Sequence, residues 1–139
     1  MAGYSGKSVV QKLGIKPSFR IFVDSAPSPY GEIVGELPAG AVLVPRLKAP
    51  LDLVHLFATD ARGLAAVLRS GRRAIEPDGM IWVSWPKKAS GVVSNLTDTV
   101  VRDTALRLGL VDIKVCAIDE TWSGLKFVIP KELRTKRAR

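Results

Sequence analysis

Two tryptophans set among lysine, hydroxyl and carboxylate side chains, in Ser84-Trp85-Pro86-Lys87-Lys88 and Asp119-Glu120-Thr121-Trp122-Ser123, are the residues of this chain best suited to hold a ligand. Lys87 and Lys88 stand ahead of a loop of small residues leading into a helix N-terminus, a setting that attracts phosphate or carboxylate, and a tryptophan can stack on a base or ring. The plainer alternative is that the tryptophans are structural, Pro86 ends a strand and the lysines are solvated. Asp24, at the end of an apolar run, could serve as a general base or ribose contact, or cap the turn that follows it. Other chemistries are excluded by residue type. His55 is the only histidine, which argues against a His-dependent triad or a multi-histidine metal site. A lone histidine inside a buried strand reads as a hydrogen-bonded core residue. Cys116 is the only cysteine, so neither a disulfide nor a structural zinc pair is available, and in its apolar run it behaves as a small hydrophobe. The GYSGKS stretch lacks the glycine a phosphate-binding loop needs five residues before Gly6, where Met1 stands, and no strand precedes it. No metal is expected.

The elements that must position these residues follow from hydrophobic period and punctuation. A short helix is expected over Lys7 to Leu13, ended by Gly14 and followed by Pro17. Phe19 to Val23 alternates as a strand that ends at Asp24, Ser25 to Pro29 is a loop, and a short helix runs from Tyr30 to Leu37. Ala41 to Val44 is a short strand closed by Pro45. Leu53 to Ala58, apolar almost throughout, reads as a strand buried on both faces, as in a parallel sheet. Thr59 or Asp60 is expected to cap the next helix, whose apolar positions are Leu64, Val67, Leu68 and Ile75. Pro77-Asp78-Gly79 is expected to turn into a strand from Met80 to Trp85, and Thr97 to Leu108 is expected to be helical up to Gly109. Val111 to Ile118 and Leu125 to Ile129 complete the set. Their connection, Asp119 to Gly124, is too short for a crossover helix, so the two strands must be antiparallel.

That order predicts an α/β fold: one shortened sheet, mostly parallel with an antiparallel C-terminal hairpin, helices on both faces. At 139 residues the chain suits a single domain over 1–130 with a basic tail over 131–139. The tail carries Lys131, Arg134, Lys136, Arg137 and Arg139 against Glu132, half of the formal charge of +8. Such a tail is expected to be a solvated terminus or, in the alternative, an arm for nucleic acid. No apolar stretch reaches the roughly 18 residues of a membrane span. With lysines scattered from Met1 to Lys16 in place of a leader pattern, a cytoplasmic location and no membrane partner are expected.

The segments RSGRRAIEPDGMIWVSW and PLDLVHLF, together with the reversed final strand, resemble class I S-adenosylmethionine-dependent methyltransferases over most of the chain. The resemblance implies a Rossmann-like sheet of methyltransferase type. It also implies where the cofactor contacts should lie, and there the chain departs from the family. The family's first strand leads into a glycine-rich loop, whereas this chain has Asp24-Ser25-Ala26-Pro27-Ser28-Pro29-Tyr30-Gly31, with prolines that remove amide donors. The family's second strand ends in an acidic residue for the ribose hydroxyls, whereas this one ends in Pro45 and Arg46. The segment between Val44 and Leu53 is too short for the family's next helix and third strand, which makes Ala41 to Val44 the sheet edge. No cofactor is therefore expected and S-adenosylmethionine is disfavoured. More closely, GYSGKSVVQKLGIK, PDGMIWVSWPKKASG and DETWSGLKFVIP are similar to a bacterial family known only as a domain of unknown function.

Open parallel sheets bind ligands beyond the carboxyl ends of their strands. If the last strand lies between the one ending at Trp85 and the one ending near Ile118, the hairpin turn reaches that edge. Ser84, Trp85, Lys87 and Lys88 would then face Asp119, Glu120, Trp122 and Ser123, joined by Asp24 and Thr59. The expectation is a non-catalytic domain binding a small anionic or ring-bearing ligand at this edge. The alternatives are an atypical methyltransferase or other group-transfer enzyme, and a nucleic-acid-associated protein using its tail. The Ala41 to Val44 edge could also pair with a second copy to form a homodimer, although Pro45, Arg46, Lys48 and Pro50 would blunt it.

Overall fold

The computed structural model describes residues 7–134. In chain order they form α1 (Val9–Leu13), β1 (Arg20–Asp24), α2 (Tyr30–Val34), β2 (Val42–Leu43), β3 (Leu51–Phe57), α3 (Leu64–Ala74), β4 (Ile75–Pro86), α4 (Asp98–Arg107), β5 (Val111–Ala117) and β6 (Trp122–Val128). Short 3-10 turns occupy Lys88–Ser90 and Lys131–Leu133. The strands form one six-stranded sheet in the order β2-β1-β3-β4-β6-β5. The first four are mutually parallel, and β6 runs antiparallel to both β4 and β5. Helices cover both faces: α3 and α4 pack on one, α1 and α2 on the other. This is the shortened Rossmann-like sheet with an antiparallel hairpin that the pattern predicts, and the final strand does lie between the two strands named above. β2 is the sheet edge, as expected, with Val42 and Leu43 exposed.

β3 and β4 form the centre because their side chains are apolar on both faces. Leu51, Val54, Leu56, Ile81, Val83 and Trp85 face α3 and α4, whereas Leu53, Phe57, Met80 and Trp82 face α1 and α2. The helix ends are made by local chemistry. Ser8 and Gln11 form a reciprocal capping box at α1, and Gly14, at φ 79°, closes it. Thr97 caps α4, its hydroxyl accepting from the Val100 amide at 3.2 Å.

Three expected boundaries are corrected. α3 starts at Leu64 behind Gly63 (φ 79°), with no side-chain cap from Thr59 or Asp60. Asp60 instead accepts from the Arg62 amide at 2.9 Å, so the chain makes an Asx-type turn before the helix begins. Pro77-Asp78-Gly79 lies within β4 as an irregularity, because the register passes from Leu51↔Ile75 to Leu53↔Met80. A Cβ on Gly79 would sit 2.9 Å from Ile75 Cβ and 3.1 Å from the Asp52 carbonyl, so that crowded bend requires glycine. Ile75, grouped with the helix by spacing, opens the strand. Finally, β6 starts at Trp122 and not at Leu125. Asp119 Oδ1 accepts from the amides of Thr121 and Trp122, both at 2.8 Å, and closes the hairpin in fewer residues than Gly124 suggests. Gly124 is a strand residue whose missing side chain makes room for Ile118 and Trp82, 2.9 and 3.1 Å from where its Cβ would be.

Candidate functional site

A cavity of about 360 Å³ opens at the carboxyl ends of β1 and β3. Asp24 and Ser25 form one wall, Phe57 to Asp60 the floor, and Arg62 to Leu64 at the entry to α3 the far side, while Trp122 reaches over from β6. Its size falls at the lower end of small-molecule sites. Ser25 holds φ 60°, a left-handed backbone that side chains adopt at a cost, and its hydroxyl donates to Asp24 Oδ1 at 3.3 Å. Asp24 has no cationic partner among the described residues. The opposite wall is clamped by Asn95, from the loop between β4 and α4. Its Oδ1 accepts from the Ala61 amide at 2.8 Å, its amide nitrogen donates to Asp60 Oδ1 at 3.2 Å, and its backbone N–H donates to the Thr59 carbonyl at 3.1 Å. Asp60 is further held by the Arg62 guanidinium at 2.9 Å. The Arg62 backbone amide, then the hydrogen bonds from the Arg62 and Asn95 side chains, keep the Asp60 carboxyl ionised with a pKa of about 2.

Behind the cavity runs a buried polar relay. The Tyr30 hydroxyl lies 2.7 Å from His55 Nδ1, and His55 Nε2 lies 2.7 Å from Ser84 Oγ. In either neutral tautomer one ring nitrogen donates and the other accepts, and the two hydroxyls supply the complement. His55 and Ser84 are fully buried and Tyr30 nearly so. Burial therefore lowers the His55 pKa to about 3 and raises that of Tyr30. The His55 ring stacks on Phe57 at 4.3 Å, and Phe57 meets Trp122 edge-on at 5.4 Å, which separates the relay from the cavity. The expectation that His55 is a hydrogen-bonded core residue therefore agrees with its environment.

Among the predicted site residues, the structure brings Asp24, Thr59 and Trp122 to one cavity and disperses the others. Ser84 is directed into the sheet by His55. Trp85 is buried on the opposite face, in one core with Leu96 and Val101, and Ser123, directly across the ladder from it, is on that face too. The Lys87 ammonium donates to the Asp119 carbonyl at 2.8 Å and its amide to the Thr121 carbonyl at 2.8 Å, so it pins the hairpin and does not reach into the cavity. The Asp119 carboxylate is used by the turn amides, and Lys88 and Glu120 are exposed and do not line the cavity. The reason is alternation. Neighbouring residues on a strand face opposite sides, so a cluster assembled from consecutive positions is divided by the sheet. The sequence reading missed Asp60, Arg62 and Asn95; the Asp60-x-Arg62 spacing of an Asx turn is the signal that could have revealed the first two. Among the described residues no group of histidine, cysteine and carboxylate side chains could hold a metal, and no helix is long and apolar enough to cross a membrane. Of the tail, residues 131–134 are described: Lys131–Leu133 form the last turn, and the Arg134 guanidinium donates to the Ile129 carbonyl at 2.8 Å. The expectation for residues 135–139 lies outside the described residues, as does that for Gly3 to Gly6 of GYSGKS.

A sheet of this order, mostly parallel with a reversed final strand, is a Rossmann-like fold, and the solved structures that share it are methyltransferases. The chain is similar to an S-adenosylmethionine-dependent methyltransferase of Aquifex aeolicus (TM-score 0.66, 11% identity, 87% of this chain and 88% of that one). It is similar to precorrin-6y C5,15-methyltransferase of Geobacter metallireducens (0.59, 11%, 87% and 85%). It is also similar to a TehB-like methyltransferase of Corynebacterium glutamicum (0.56, 12%, 87% and 85%). At these identities the likeness is one of fold. No family model and no curated protein sequence matches the chain.

Proposed function

We propose that this chain is a small-ligand-binding domain on a methyltransferase-type sheet, with its ligand in the cavity between the ends of β1 and β3. The observation that carries this reading is the cavity itself, at the position where open α/β sheets take ligands, with a carboxylate that has no cationic partner among the described residues on one wall and an indole over it. The ligand best matched to that wall is a ring bearing hydroxyl or amino groups. Asp24 offers an acceptor, Trp122 an aromatic edge, and Arg62, the one cation at the rim, is held by Asp60.

A second reading, a methyltransferase that uses S-adenosylmethionine in an unusual way, is favoured by the solved structures named above, and it weighs against setting that ligand aside. The residues present do not fit the family's contact set. Pro27 and Pro29 follow β1, and exposed Arg46 follows β2, lining a separate groove with Arg20 and Lys48. No methyl-transfer step is therefore assigned to any side chain.

Calorimetry and thermal shift with adenosine, S-adenosylmethionine and S-adenosylhomocysteine at millimolar concentration test both readings. A ligand present at a hundred times its dissociation constant adds about 2.7 kcal/mol of apparent stability. The expected result is a shift that Asp24→Asn and Trp122→Ala each abolish. A shift untouched by either substitution, or none across the panel, would overturn the cavity assignment. S-adenosylmethionine binding followed by transfer of a labelled methyl group would select the second reading.

A further inference from the structure

We infer that the open face of the β5–β6 hairpin binds the phosphate backbone of a nucleic acid through Lys12, Lys16, Lys114 and Lys126. Lys114 and Lys126 are directly opposite each other in the antiparallel β5–β6 pair. Like charges placed so are destabilising, and any polar or acidic residue at 114 would suit this strand better. α1 adds two more cations. It is moored to the sheet by the Trp82 indole N–H, which donates to the Leu13 carbonyl at 3.0 Å, and Gly14 turns the chain beside the Lys126 side chain.

The four charges act on one another and on common neighbours. Burial first, then the ammonium groups of Lys114 and Lys16, lower the pKa of Lys126. Burial raises the pKa of the Cys116 thiol, against the pull of Lys114 and Lys12. None of these lysines takes part in an ion pair with a carboxylate among the described residues, unlike Arg62 with Asp60 or Arg102 with Asp98 and Asp112. The fold maintains a repulsive cluster that a dense polyanion would relieve.

The composition of the patch selects the anion. Among the described residues no aromatic ring is among the exposed large apolar side chains, and the nearest on this face of β6, Trp122, is half-buried against Phe57 at the cavity, so what the lysines themselves can contact is backbone phosphate. Val115 alternates with Lys114 and so faces away, and Ile113, the extra residue where the β5–β6 register shifts, is the one exposed apolar side chain next to Lys114, too little for a lipid surface. The site is separate from the carboxyl-edge cavity and from the terminal basic residues.

The test is fluorescence anisotropy of the full chain with a labelled 30-base-pair duplex and an RNA hairpin across a salt series. Four phosphate contacts give a log-log slope of about −3.6 on B-form DNA. Replacing all four lysines by alanine is expected to weaken binding roughly tenfold or more and to flatten the slope by about two or more. Lys114→Glu separates this from misfolding, because it faces Lys126 with an opposite charge. Duplex binding should fall while the melting temperature rises by on the order of 2 °C. Deleting residues 131–139 should leave a salt-dependent remainder. A quadruple variant that binds as the parent does, binding abolished by the tail deletion alone, or binding to vesicles of 30% anionic lipid but to neither nucleic acid, would each overturn the inference.

Discussion

The two faces of the sheet use different chemistry. Under α3 and α4, helices of 11 and 10 residues, the face is closed and apolar, with Leu68, Val83, Trp85, Val101, Ala105 and Phe127 in one continuous core. Under α1 and α2, each of five residues, the core is smaller. That face carries the Tyr30–His55–Ser84 relay, the Trp82–Leu13 bond and the uncovered lysines of the hairpin. Helix length decides the difference. A five-residue helix covers about 7.5 Å along its axis, too little to shield six strands, so polar groups on that face must pair within the sheet or meet solvent.

The strongest way to break the contrast is to unmoor the short helices. Trp82→Ala removes a fully buried indole and the bond that holds α1, and about 3–5 kcal/mol of stability should be lost in denaturant melts, with hydrogen exchange rising first over residues 8–16. Phe127→Ala, its fully buried counterpart on the closed face, should cost a similar amount without that local loosening.

The relay gives the next effect. His55→Leu leaves two buried hydroxyls without their partner and should cost roughly 2–4 kcal/mol, whereas His55→Gln, which can still donate and accept, should cost less. His55 also sets a pH dependence. Its folded pKa of about 3 is below its unfolded value, so the unfolded chain binds the proton first as pH falls. Stability is then full above about pH 6.5 and declines towards pH 3 by up to about 1.4 kcal/mol per unit. Urea melts from pH 7 to 4 should show this slope in the parent and a flatter one in His55→Gln; equal slopes would assign the acid sensitivity to carboxylates.

Smaller effects refine the comparison. Gly124→Ala drives a methyl group to 2.9 Å from Ile118 and 3.1 Å from Trp82 and should cost about 1–3 kcal/mol. Thr97→Ala removes the cap of α4 and should cost about 1 kcal/mol. Ser25→Gly releases a left-handed serine and should gain up to about 1 kcal/mol. If the gain comes with unchanged affinity for the cavity ligand, the strained turn is structural only.

Much of the fold was legible. The two-sided apolar run of β3, the short link before β6 and the amphipathic repeat of α3 each follow from the chain's own pattern, and together they allow little besides a mostly parallel sheet ending in a hairpin. The candidate site was legible in position more than in membership. Asp24, Thr59 and Trp122 meet at the predicted edge, but Trp85 and Trp122 lie on opposite faces, and Lys87 serves the hairpin.

By itself, the sequence determined the element types, the parallel centre and the reversed last strand, because periodicity, glycine and proline punctuation and link length act over a few residues each. Only the tertiary structure decided that His55 joins Tyr30 to Ser84, 25 and 29 residues away. It likewise decided that Asn95 clamps Ala61, and that Lys114 confronts Lys126. Those outcomes depend on register and on which face each side chain takes, and a shift of one residue in either strand would reverse them.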